Sequence, residues 1–167
     1  ASFVAKAASA CTVNAACSTD AALQQWAGAV VAITIGNSAT CTGTLMNNSS
    51  GDGRPYLLTA RHCYTAPGGT EPVGAAASLR MAWNAVTPCG TPLASAWGIG
   101  TPVTEGAVHR AEYGDAWLVE LNTRPPESVA PWYAGFDARD QVPSGELVGL
   151  HNGNGLQRQL LSTRSAP

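Results

Sequence analysis

The apolar positions of this chain come in short bursts separated by turn chemistry, a rhythm that belongs to strands. Residues 29–35 (AVVAITI) form a β-branched run that Gly36-Asn37-Ser38 ends as a turn, and residues 41–46 (CTGTLM) read as its antiparallel return. A long polar turn over 47–55 precedes another strand at 56–59 (YLLT). Residues 77–85 alternate through Leu79, Met81 and Trp83, and further strands are predicted at 107–112, 116–121 (AWLVEL), 132–136 and 146–151. Asn152-Gly153-Asn154-Gly155 is a turn signal from which 156–163 returns as a hairpin. Residues 21–28 (AALQQWAG) fit a short helix or the lead-in to a strand, and 66–74 and 88–92 read as loops. Many short strands with turn residues between them predict an all-β barrel or sandwich.

The prolines at 125, 126 and 131 divide the chain into about six strands before and two or three after. Two or three strands cannot enclose a core alone. The second part must therefore dock on something.

Composition narrows the class. Of 167 residues, 45% are apolar and 12% charged, and nine basic against eleven acidic residues leave a net charge of −2. No basic block exists to attract a phosphate backbone, which argues against nucleic acid as a partner. No apolar run is long enough to span a bilayer as a helix. The 18 glycines, 11 prolines and single lysine, Lys6, suit a loop-rich extracellular protein. Residues 1–10 form an alanine-rich tail without an apolar signal core, as expected of a mature product cut from a secretory precursor.

The five cysteines (Cys11, Cys17, Cys41, Cys63, Cys89) show neither paired C-x-x-C spacing nor a Cys/His cluster, so no zinc or other metal site is expected, and no cofactor is expected. A disulfide framework in an oxidising compartment is the better reading. The count is odd, so one cysteine is free or pairs outside the chain. The acidic residues are scattered without a calcium-loop pattern.

The informative stretch is Cys41-Thr42-Gly43, followed after a strand by Thr59-Ala60-Arg61-His62-Cys63. Asp115 lies 53 positions beyond His62 and leads directly into an apolar strand. Taken singly, a histidine beside a cysteine and an aspartate before a strand are ordinary surface features. In this order and spacing they resemble the His and Asp regions of the chymotrypsin-like serine peptidases. Further motifs are similar to the lysyl endopeptidase branch of secreted bacterial serine peptidases. They are the opening Cys11-Thr12-Val13-Asn14 with Cys17, the run Leu45, Asn47 and Asn48, Met81-Ala82-Trp83-Asn84, and Trp132 to Gln141. The resemblance covers residues 11–164.

That resemblance implies a trypsin-like double β-barrel. Residues 11–124 would supply the N-terminal six-stranded barrel, 125–131 a proline-rich linker, and 132–167 the first hairpin of an incomplete C-terminal barrel. It pairs Cys17 with Cys89 and Cys41 with Cys63, and Cys11 with a cysteine outside this chain. A bridge across the 22 positions from Cys41 to Cys63 would add about 3 kcal/mol in the chain-entropy model. His62 would be the general base and Asp115 its orienting carboxylate.

The implied protein is the N-terminal chain of a secreted, extracellular bacterial serine endopeptidase acting on protein or peptide substrates, with some preference for cleaving after a basic residue. Its nucleophile would sit on a C-terminal chain of the same precursor, joined through Cys11. Ser144, in Val142-Pro143-Ser144-Gly145, lacks the first glycine of a G-x-S-G segment, and Ser49, Ser50 and Ser162 sit in a turn and at a strand end. None is expected to serve. His109 and His151 are expected to be solvated, and the five tryptophans to pack cores. The alternative is a catalytically inactive homologue or fragment acting as a binding module.

Overall fold

Val30–Ile35 (β2) is buried at every position because both faces of its sheet are covered. Val31, Ile33 and Ile35 join the main core with Leu45, Leu57, Leu79, Met81, Trp117 and Val119. Ala32, on the opposite face, packs with Ala82, Ala85 and Ala96. The period of two in side-chain direction thus feeds two apolar layers from one strand.

The computed structural model describes residues 13–36, 39–65, 71–139 and 146–164. Besides β2, the strands are β1 (Val13–Asn14), β3 (Ala39–Met46), β4 (Tyr56–Ala60), β5 (Leu79–Ala82), β6 (Val103–Glu105), β7 (Ala107–Tyr113), β8 (Ala116–Leu121), β9 (Glu146–His151) and β10 (Gln159–Arg164). Short helices α1 (Ala21–Trp26), α2 (His62–Thr65) and α3 (Pro72–Ala77) fill the connections.

The sheet order corrects the expected fold. Instead of a six-stranded trypsin-type barrel with part of a second, the described residues form one seven-stranded antiparallel sheet, β6-β5-β2-β3-β4-β8-β7. It curls as a half-barrel whose two edge strands, β6 and β7, are consecutive in the chain across Gly106. A separate three-stranded sheet, β1-β10-β9, ties Val13 and Asn14 to Leu160 and Gln159.

The physical reasons are local. The three-residue strand β6 follows Thr101-Pro102 and carries too little pattern to be read as a strand. Residues 132–136 make a single bridge, Met46 with Ala134, in place of the predicted strand. Pro131 and Gly135 deny that stretch a continuous ladder. Helix α3 occupies part of a predicted loop, with Pro72 in its first turn, where a missing N–H costs nothing.

Gly43 in β3 shows why the C-x-G spacing matters to packing. A Cβ built there would lie 2.8 Å from Cδ2 of the fully buried Leu57. Thr59, two residues on, donates its hydroxyl to the Thr42 carbonyl at 2.8 Å. These contacts press β3 and β4 together just below the site.

Candidate functional site

Antiparallel pairing of β4 with β8 puts Ala60 opposite Ala116, so the end of one strand lies beside the start of the other. The residues that follow β4 and precede β8 are therefore neighbours despite their separation in sequence. Asp115 sits in the β7–β8 turn behind Gly114, whose φ of +57° the tight reversal requires. His62 opens α2, separated from the end of β4 by Arg61 alone.

The two side chains meet. His62 Nδ1 lies 2.7 Å from Asp115 Oδ2, and the His62 backbone N–H donates to Asp115 Oδ1 at 2.9 Å. The Arg61 N–H adds a bond to the Asp115 carbonyl at 2.6 Å. A carboxylate only accepts, so Nδ1 carries the proton and Nε2 of the neutral ring is the acceptor. The His62 ring, then the His62 backbone N–H, hold the Asp115 carboxyl below its ordinary range. The pair stands in solvent, with 70% of the His62 side chain and 63% of the Asp115 side chain exposed.

The next residue anchors the loop. Cys63 is buried and disulfide-bonded to Cys41 on β3, with Cα atoms 6.2 Å apart. A second disulfide joins Cys17 to Cys89. Cys11 and Ser144 lie outside the described residues, as does the side chain of Ser162. The sulfurs of Cys41 and Cys63 and a ring nitrogen of His62 lie within 4.8 Å of one another, close enough for a metal. Both sulfurs are committed to their disulfide, which leaves this cluster a single ligand, the His62 ring.

Around the pair lies a network that the sequence pattern did not mark. Glu112 on β7 accepts the Tyr64 hydroxyl, and its carboxylate is 3.7 Å from Arg61 Nε. Burial first, then the Glu112 carboxylate, push the Tyr64 phenol up. The Tyr64 ring packs on Trp117 at 4.6 Å between centroids. The only signal was alternation in β7 and β8, which places Glu112 opposite Trp117.

Leu58 and Leu118 line two adjoining shallow grooves, the second of which reaches Tyr113 and Ala116 on either side of the β7–β8 turn. One, of about 330 Å³, includes Met46, Tyr56 and Phe136. The other, of about 140 Å³, includes Glu112, Tyr113 and Ala116. Among the described residues, no serine or threonine hydroxyl is hydrogen-bonded to the His62 ring.

The other histidines are less solvated than expected. His109 accepts a hydrogen bond from the buried Trp117 indole at 3.1 Å. His151 is half-buried, and burial lowers its affinity for a proton.

Residues 5–166 match the family model described as "Lysyl endopeptidase, C-terminal domain". A lysyl endopeptidase of Pseudomonas aeruginosa is 31% identical over 148 residues, covering 82% of this chain and 30% of that protein. The chain thus spans less than a third of the length of that relative. A match to a C-terminal domain overturns the expectation of an N-terminal endopeptidase chain awaiting its nucleophile from elsewhere. The T-A-x-H-C and Asp115 motifs fixed the neighbourhood of two side chains, but a local motif does not identify the domain that carries it.

Proposed function

This chain belongs to the lysyl endopeptidase C-terminal domain family, and we propose that it serves there as a binding module without peptidase activity of its own. The observation that supports this is the exposed His62–Asp115 pair, which no hydroxyl among the described residues joins. Nucleophilic catalysis needs a positioned nucleophile within reach of its base. What the rim offers instead is a fixed polar acceptor beside apolar grooves, the composition of a recognition surface.

In this reading the partner is a protein or peptide segment. Its apolar side chains lie along Leu58, Leu118 and Tyr113, and one of its hydroxyl or amide donors bonds to His62 Nε2. Asp115 is a positioning residue that fixes the tautomer. The two disulfides suit action outside the reducing cytosol, and an extracellular site is part of the proposal.

The test pairs an activity probe with a binding screen. A serine-directed fluorophosphonate is expected to leave the 167-residue chain unlabelled. An immobilised random hexapeptide library is expected to retain sequences that the His62→Ala chain does not hold. Labelling of the chain would restore a catalytic role for His62 and Asp115. Equal retention by both proteins would remove the rim as the binding surface.

A further inference from the structure

Away from the His62–Asp115 pair, a cavity of about 450 Å³ is lined by Gln24, Gln25, Asn84, Ser128, Trp132 and Arg158. Arg158 is the unusual member. It is only 5% exposed, yet no carboxylate among the described residues pairs with it. Its Nη1 donates to the Ala27 carbonyl at 2.6 Å and its Nη2 to Asn84 Oδ1 at 2.9 Å. Its Nε has no hydrogen-bond partner among the described residues. Of the guanidinium's five N–H groups, the two bonds that are made go to neutral oxygens.

A buried cation without a counter-ion is costly, and proteins rarely keep one without a use. Burial pushes the Arg158 guanidinium down to about 10, which still leaves it protonated at neutral pH. The cavity also concentrates backbone strain. The non-glycine residues with positive φ among the described ones are Asn84 (+49°) and Ala130 (+46°), and both line it. Such conformations persist where the surroundings enforce them, and they gather at ligand sites. Gly28 completes the wall, since a Cβ there would lie 2.5 Å from the Ala130 carbonyl oxygen.

We infer that this cavity is a binding site for a carboxylate, supplied by a peptide C-terminus or an acidic side chain, with Arg158 as its counter-ion. One buried positive charge calls for one negative charge, and the planar guanidinium fork matches a carboxylate. The exposed Gln25, Ser128 and Trp132 form the mouth, through which a peptide residue reaches the charge. The volume falls within the range of small-molecule sites. This inference is independent of the proposed rim function, because neither His62 nor Asp115 lines the cavity, and either can stand without the other.

Calorimetry on the 167-residue chain in low-chloride buffer tests it. The probes are sodium acetate, acetyl-Ala-Ala-Ala as the free acid, the same peptide as its amide, and acetyl-Ala-Asp-Ala-amide. Saturable binding of the free acid or the aspartyl peptide is expected, at least tenfold tighter than the neutral amide. The arm that binds tells a terminal from a side-chain carboxylate. Arg158→Met should abolish the binding. Ser128→Trp, which fills the mouth from an exposed position and leaves the guanidinium in place, should weaken it at least tenfold while the circular dichroism stays unchanged. Absence of saturable binding by every carboxylate probe, equal binding of the amide, or full binding by folded Ser128→Trp would overturn the inference.

Discussion

His62 and Cys63 are adjacent in the chain and opposite in environment: the first extends 70% of its side chain into solvent, and the second is 3% exposed in the core. The peptide bond between them is where a crosslinked core delivers a polar group to the surface. The Cys41–Cys63 disulfide fixes the start of α2, and the Asp115 carboxylate fixes the ring that α2 presents.

Removing the crosslink tests this division of labour. The Cys41→Ala/Cys63→Ala double variant is expected to lose about 3 kcal/mol in urea unfolding, from the loop-closure term for its sequence separation. In nitrogen-15 NMR of the imidazole, His62 should also lose its fixed Nδ1–H tautomer. Stability lost with the tautomer retained would show that Asp115 alone positions the ring.

Asp115 makes stability depend on acid. Its folded carboxyl titrates below the ordinary 3.8, so its contribution is complete above that value and is lost as pH falls through the lower folded one. Asp115→Asn should flatten this part of the acid-unfolding curve, read by circular dichroism from pH 5 down to about pH 2. An unchanged acid limb would mean that the carboxylate gains nothing from His62.

Packing beneath the site is expected to be equally exacting. Gly43→Ala places a methyl group 2.8 Å from the fully buried Leu57 side chain. A cost of about 1–3 kcal/mol is expected. Adding Leu57→Val should return part of it, and a double-mutant cycle in denaturant measures that coupling.

Arg158 should act at the alkaline end. A cation whose folded value is lowered to about 10 penalises the fold below that pH, and the penalty is relieved as pH rises above it towards the ordinary guanidinium range of the unfolded chain. Compared with Arg158→Met, the parent chain should gain stability as pH is raised from 10, read as the difference in urea midpoint. Parallel curves for the two proteins would show that the charge is compensated in solution.

Much of this was legible in the chain itself. The β-branched run of β2, its return in β3 and the apolar β8 announced their strands through period and turn residues. His62 and Asp115 stand out in the sequence because a strand end and a strand start carry recognisable neighbours. The domain identity was not legible, since the same local motifs fit an N-terminal barrel and the half-barrel observed. Glu112, Tyr64 and Arg158 carry no such mark, because their significance is tertiary. Gln157-Arg158-Gln159 reads as a polar stretch of strand until folding buries all three residues.

The most direct test of the rim as a binding surface is the His62 imidazole itself, observed by nitrogen-15 NMR while a hexapeptide selected from the library is titrated into the chain. The account predicts a saturable shift of Nε2 with Nδ1 still protonated against Asp115, and no binding by His62→Ala. Binding that leaves Nε2 unmoved, or that survives His62→Ala undiminished, would contradict it.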